Sequence, residues 1–282
     1  MTTVNGIQHD DEALTPLRRC AANVALALAI VAGPAKIHPR PVVTSPRPLA
    51  IKAAIFLAAF VLCMVLLDGP IMRTVAHLPS WIIWPFDQIT DFGKSGWFLW
   101  PLGLLFLALA ALPSRLNRIS QAVLAAVTVR VGFLFVAVAV PGLFVTTVKR
   151  MIGRARPTVG GHIDPFLFHP FIWRADFASL PSGHATTAFS VLAAFGSLFP
   201  RWRTEFLIYA TLIAMSRMMV MAHFPSDVFA GALVGTFGAL MVRRYFALRR
   251  LVFSVGPDGI LHQHPGPSLK RIKAVARELL AP

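Results

Sequence analysis

The stretch VLAAVTVRVGFLFVAVAVPGLFVTTV, residues 123–148, decides the fold. It exceeds the ~20 apolar residues a helix needs to cross a bilayer, and its single charge is Arg130, at the end expected to be cytoplasmic. Inside hydrocarbon the backbone N–H and C=O groups have no water to bond, so such a run must cross as a helix. Five further apolar blocks lie around it: Ile51 to Leu67, Trp97 to Leu112, Ala185 to Phe199, Phe206 to Met221, and Val228 to Val242. Several are short and must borrow flanking residues. Together they predict an all-α, polytopic membrane protein with six transmembrane helices. A soluble chain of 282 residues needs more polar surface than 14% charged residues and a mean hydropathy of +0.67 supply.

The formal charge of +15 points to an anionic partner: nucleic acid, a membrane surface or a phosphate substrate. Most of the 27 Lys and Arg lie on one side of the six blocks, from Arg18 to Lys52 before the first and from Arg243 to Arg277 after the last. That excess marks the cytoplasmic side and places both termini inside. No run of interleaved basic and aromatic residues resembles a nucleic-acid groove, so no nucleic-acid partner is expected. Lys149, Arg150, Arg154, Arg156, Arg174 and Arg217 break the pattern, standing at the outer ends of helices three to five with almost no acid beside them. An anionic ligand explains them.

The domain plan follows from these features. Residues 1–50 form an N-terminal lead with a Pro-rich linker, residues 51–242 the membrane domain, and residues 243–282 a basic tail. The apolar run Cys20 to Ala32 is too short to span and reads as an interfacial helix or a flexible lead-in. Cys20 and Cys63 signal neither a disulfide framework nor zinc. The 12 acidic residues include no pair resembling a magnesium clamp. His162, Asp164 and His169 could be imagined as ligands, but their loop is long and irregular. No metal and no cofactor is expected.

Three stretches carry the chemistry. In the first, Lys149-Arg150-Met151-Ile152-Gly153-Arg154-Ala155-Arg156-Pro157, Lys149 and Arg156 share a face if the helix continues, and Pro157 should end it. An ammonium and a guanidinium suit phosphoryl oxygens; a basic stop-transfer patch has the same composition. The second, Pro181-Ser182-Gly183-His184, opens the fourth block. A helix N-terminus with a hydroxyl and a glycine is either an anion site or an ordinary capping turn. The third runs from Ser216 to Asp227. Arg217 lies within the fifth block, where an unpaired charge is costly, so it should face an internal anion site. Pro225 breaks the helix, Ser226 is a natural cap for the next, and Asp227 is placed to accept a hydrogen bond from His223. Such a bond fixes the tautomer and frees the other ring nitrogen as a nucleophile.

Together the three stretches resemble the motifs of the type 2 phosphatidic acid phosphatase superfamily: Lys, six residues, Arg-Pro; then Pro-Ser-Gly-His; then Ser-Arg, five residues, His, three residues, Asp. The resemblance covers Lys149 to Asp227 by motif and Ile51 to Val242 by helix layout. It implies a haloperoxidase-like helical bundle and a membrane lipid phosphate substrate. By position, it makes Lys149, Arg156, Arg217, Ser182 and the Gly183 backbone the phosphate binders. His223 becomes the nucleophile that carries phosphohistidine, His184 the general acid and then base, and Asp227 the group orienting His223. The expected activity is metal-independent hydrolysis of a lipid phosphate or pyrophosphate: phosphatidate, phosphatidylglycerol phosphate, polyprenyl pyrophosphate or a lipid A type. The expected site faces the periplasm from a bacterial inner membrane.

Other readings remain open at this level. A phosphotransferase would use the same site with an acceptor other than water. Vanadium haloperoxidases share the residue set but are soluble. An anion transporter would need charge through the bilayer, whereas the intramembrane charges here stop near one face. A lipid receptor would tolerate loss of either histidine.

Overall fold

The computed structural model describes residues 16–37, 46–112 and 116–280. Much of the predicted Pro-rich linker, with Arg40 and Arg115, lies outside these residues. The chain is almost wholly helical: α1 (Pro16–Ala32), α2 (Pro46–Leu66), α3 (Asp68–Ala76), α4 (Ser80–Thr90), α5 (Gly96–Ala111), α6 (Arg118–Ile152), α7 (Gly183–Leu198), α8 (Arg203–Met219), α9 (Pro225–Leu248) and α10 (Leu269–Leu280). A small antiparallel hairpin, β1 (Phe253–Val255) with β2 (Leu261–Gln263), precedes α10.

Among the described residues, four stretches are long and apolar enough to cross a bilayer: Arg47–Leu66, Ser80–Ala111, Arg118–Ile152 and Pro225–Leu248. The other two predicted spans correspond to α7 and α8, only 16 and 17 residues long. Of the six predicted spans, four thus fall in stretches of spanning length and two in shorter helices, and the short pair carries two of the three motifs. The predicted external loop between the first two blocks is also different. It folds into α3 and α4, with Pro85 carried inside α4.

Contacts divide the chain into two units. One comprises Met1–His38, Leu99–Phe135 and Arg243–Pro282. In it Phe133, buried, meets Phe246 and Phe253 edge-on at 5.4 and 5.0 Å. Arg130 donates to the carbonyls of His264 and Pro265, so it anchors the segment after β2. Beyond Val242 the described residues continue α9 and then form the hairpin and α10. Glu278 on α10 accepts from Asn117 N and Nδ2, each at 2.7 Å, while Asn117 Oδ1 caps α6 through Ser120 N. The lead segment is a helix, α1, tied by Asn23 Nδ2 to Ala110 O at 2.7 Å.

The other unit comprises Pro39–Phe98 and Val136–Val242 and contains every predicted site residue. Small residues let α7 and α9 pack backbone to backbone. A Cβ on Gly231 would lie 2.5 Å from Ser182 O, and one on Gly235 would lie 2.3 Å from Thr186 O. Close approach through small side chains is the usual way membrane helices gain packing where lipid is as apolar as leucine. The hydrogen bond Ser182 N→Asp227 O, 3.0 Å, then ties the start of α7 to the start of α9. That bond puts His184 and His223 at the same end of the unit.

Candidate active site

Each motif ends or begins a helix. α6 stops at Ile152 because Gly153 turns at φ 63°, four residues before the proline predicted to end it. A Cβ at Gly153 would fall 1.8 Å from His169 O, so only glycine fits this turn. The next residues are stitched to the following loop by Ala155 N→Leu167 O, His169 N→Gly153 O and Arg156 N→Asp176 O. Arg156 is therefore off the helix and shares no helical face with Lys149. The loop still returns Arg156 to within electrostatic reach of Lys149.

Ser182 caps α7, its Oγ accepting from Ala185 N at 3.5 Å. A Cβ on Gly183 would meet nothing within 4 Å, so the start of α7 faces open space. His184, half-buried on the first turn, lies in the electrostatic field of Arg217, His223, Lys94 and Asp91. Arg217 is buried near the end of α8 and donates through Nη1 to Thr90 Oγ1 at the end of α4. Arg156 lies within reach of both Arg217 and His223. The structure thus links Arg156, His184, Arg217 and His223 into one electrostatic group, which Lys149 joins through Arg156. Among the described residues, the buried Nε atoms of Arg156 and Arg217 have no hydrogen-bond partner. The Nε of Arg249 and the Nε2 of His264 are in the same condition, so what sets Arg156 and Arg217 apart is their place beside the imidazoles, where an oxyanion would find both donors.

The second histidine lies in the turn between α8 and α9, where Ala222 N and His223 N both bond to Arg217 O at 3.1 Å. Two local expectations change here. Ser226 does not cap α9. It lies inside the first turn, and its N donates to Asp68 Oδ1 at 2.9 Å. Phe224 holds the cap position, and Asp227, the third residue of the helix, caps it from inside, its Oδ2 accepting from Phe224 N at 2.9 Å as one half of a capping box. The expected contact with His223 is looser than a close hydrogen bond: Asp227 Oδ2 lies 3.8 Å from Nδ1, an ion-pair distance. Ser179 Oγ lies beside both, donating to Asp227 Oδ2 at 2.6 Å and lying 3.4 Å from His223 Nδ1.

The sequence missed Asp68, Thr90, Ser179 and the true place of Arg154. Arg154 was counted with the outer cations awaiting an anionic ligand. It is fully buried and pairs with Asp68 at 2.7 Å and Asp227 at 2.6 Å, so it is no phosphate ligand. Arg174 pairs with Asp176 at 3.1 Å, and Arg150 lies over the Trp173 ring. Lys94, paired with Asp91 at 2.8 Å, is a further cation in the field of His184.

His162, Asp164 and His169 have separate tasks. His162 Nδ1 is 3.1 Å from Gly160 O, Asp164 Oδ1 accepts from Phe166 N, and His169 stacks edge-on against Phe177. Among the described residues no group of three His, Cys, Asp or Glu could hold a metal ion. Of the aromatics in this loop, Phe177 is buried while Phe166, Phe171 and Trp173 are exposed.

Burial, opposed by Asp227 and assisted by the Arg217 and Arg156 charges, lowers the pKa of His223 below the usual imidazole value. The ring is then neutral at pH 7, the form able to attack. The acid limb of kcat/KM should accordingly lie below about pH 6.5, which a profile with a soluble phosphate ester measures. A limb above that value contradicts the buried, charge-flanked environment.

Gly93 offers a second check. A Cβ there would come within 2.7 Å of His184 Cδ2 and 2.6 Å of Ile213 Cγ2. Gly93→Ala should push the His184 ring aside, lowering kcat about 10–100-fold with KM nearly unchanged. An unaltered kcat would show that the ring position is not critical.

Comparison with known proteins gives consistent matches. A family model described as the PAP2 superfamily matches residues 130–251. A lipid A 1-phosphatase of Rhizobium johnstonii is 38% identical over 215 residues, 75% of this chain and 87% of that protein. A lipid A 1-phosphatase of Rhizobium etli is 37% identical over 215 residues, 75% of this chain and 92% of that protein. Among solved structures, Aquifex aeolicus LpxE aligns with a TM-score of 0.46 at 22% identity, covering 64% of this chain and 96% of that one.

Proposed function

From the finding that the chain belongs to the PAP2 superfamily, we propose that this membrane phosphatase removes the 1-phosphate of lipid A through a covalent phosphohistidine on His223. The observation that carries the reading is the pair of unpartnered buried guanidinium donors on Arg156 and Arg217, in the field of two imidazoles. The two Rhizobium lipid A 1-phosphatases support the substrate class.

The chemistry follows from these groups. Phosphoryl transfer needs in-line positioning and spread positive charge more than covalent help. Lys149, Arg156 and Arg217 supply the charge, with Ser182 Oγ and the N–H of Gly183 as further donors. His223 Nε2 attacks phosphorus and forms a P–N bond as the P–O bond to the lipid breaks. His184, its pKa held down to about 3 in the free site by burial and the Arg217 charge, takes up a proton when the phosphate dianion binds beside it and gives that proton to the leaving oxygen. It then takes a proton from water, whose oxygen attacks phosphorus, breaks the P–N bond and releases inorganic phosphate and free His223. The exposed Phe166, Phe171 and Trp173 suit the membrane interface, where aromatic rings settle at headgroup level, and form the surface on which the lipid enters. The site faces the periplasm of a bacterial inner membrane.

Detergent-purified protein incubated with lipid A, with chelator present, tests this. The expected result is release of inorganic phosphate and a product that lacks the 1-phosphate, as read by mass spectrometry. Transfer of the phosphoryl group to a second lipid without inorganic phosphate would replace hydrolase by phosphotransferase. Loss of activity on adding chelator would overturn catalysis by side-chain cations alone.

A further inference from the structure

We propose that Arg154 and Asp68 are positioning residues for this reaction, a buried ionic bridge that fixes the Asp227 carboxylate so that Ser179 can hold the His223 ring with its attacking nitrogen free. The inference rests on the phosphohistidine reading and adds residues that lie outside its motifs.

Arg154 has no solvent exposure, and each of its five N–H groups has a protein acceptor. Nη1 donates to Asp227 Oδ1 at 2.6 Å and Ser226 Oγ at 2.7 Å. Nη2 donates to Asp68 Oδ2 at 2.7 Å and Pro165 O at 2.7 Å, and Nε donates to Pro165 O at 3.0 Å. The guanidinium lies 4.4 Å above the Phe224 ring. No donor remains for phosphate, so this cation acts on the protein itself.

Its hold on Asp227 is directional. One carboxylate oxygen is taken by Arg154, and the other accepts from Ser179 Oγ at 2.6 Å and Phe224 N at 2.9 Å. Ser179 gives its proton to Asp227, so the lone pair it turns toward His223 Nδ1, 3.4 Å away, must accept. Nδ1 then carries the ring proton, and Nε2 is left with its lone pair for phosphorus. Asp68 secures the far end of the bridge, accepting from Nη2 of Arg154 and, at 2.9 Å, from Ser226 N. Lysine could not replace this fork, since an ammonium has three donors and no planar, forked geometry.

A purely architectural ion pair predicts lost stability and nothing more, so the test separates the two. Arg154→Met with Asp68→Asn leaves the net charge unchanged, fills the space beside Phe224 and keeps an acceptor for Ser226 N. Exchanging a buried ion pair for neutral groups is often tolerated. The expected result is a folded protein whose kcat falls about 10–100-fold, with KM nearly unchanged and the acid limb of kcat/KM moved to higher pH. The direction follows from the groups facing His223: Asp227 on α9, Arg217 on α8, His184 on α7 and Arg156 after α6. Of these only Asp227 is released, and a carboxylate freed from Arg154 stabilises the imidazolium more.

A folded double variant with wild-type kcat and an unmoved acid limb would overturn the proposal. If the double variant does not accumulate, Arg154→Lys decides, because it keeps the cation and loses the fork. The same upward shift supports the bridge, and an unchanged profile overturns it. The underlying reading fails separately, when wild-type protein hydrolyses substrate without a phosphate adduct on His223.

Discussion

Replacing His223 by Ala should abolish turnover, lowering kcat/KM by at least about 10⁴-fold. In the proposed mechanism no other group can form the P–N bond. His184, the nearest alternative imidazole, stands at the start of α7 and is assigned to the leaving oxygen, on the opposite side of phosphorus from the attack. The side chain removed lies 3.4 Å from Ser179 Oγ and 3.8 Å from Asp227 Oδ2, and Asp227 keeps Arg154, Ser179 and Phe224 N as partners, so the variant should stay folded in detergent. Substrate should still bind, because Lys149, Arg156 and Arg217 are untouched. The check is twofold: phosphate release, and acid-labile, alkali-stable phosphate on the quenched protein. Wild type should show the adduct transiently and the variant should show none. A His223→Ala protein that keeps a few per cent of wild-type activity would move the nucleophile elsewhere.

His184→Gln should have the second-largest effect and a different form. His184 is asked to act twice, as acid when the lipid oxygen departs and as base when water enters. A substrate whose leaving group needs no proton, such as an aryl phosphate of low phenol pKa, bypasses the first task. The variant should then release about one equivalent of phenolate per enzyme quickly and stall as phosphohistidine. Steady turnover should fall about 10²–10⁴-fold, the scale of a lost general acid–base group. On lipid A both steps slow, and little adduct accumulates. Rapid-quench measurement separates the cases. Absence of a burst with the activated ester would mean that His184 does not serve the hydrolytic step, and that another group activates water.

The two variants together also discriminate between acceptors. A phosphotransferase forms the same adduct on His223, but discharges it faster when an acceptor alcohol is added. Water-limited discharge in wild type, insensitive to added lipid alcohols, is expected of the hydrolase.

Some of this molecule was open to reading one residue at a time. The membrane character of residues 123–148 follows from the cost of bare backbone in hydrocarbon, which no tertiary contact can waive. Lys149, Arg156, Ser182, Gly183, His184, Arg217, His223 and Asp227 stood out because phosphoryl chemistry draws on few side-chain types, and their order along the chain is itself distinctive. Local capping was less secure. Ser226 matched a cap by composition, yet bonds Asp68, and the adjacent Asp227 caps α9 in its place. Between the blocks that end at Leu67 and begin at Trp97, composition gave no element, yet α3 and α4 form there.

The amino-acid order alone determined that helices cross a bilayer and which two imidazoles and three cations to expect around the turn at Ser182 and Gly183. Only the folded chain decided which cations are free. Arg154 and Arg156 are two residues apart and look alike in sequence, yet one meets a carboxylate 86 residues away and spends every donor, while the other keeps an unpartnered Nε. Charge is a property of a residue. Whether that charge is already answered depends on distant partners that packing brings within 3 Å.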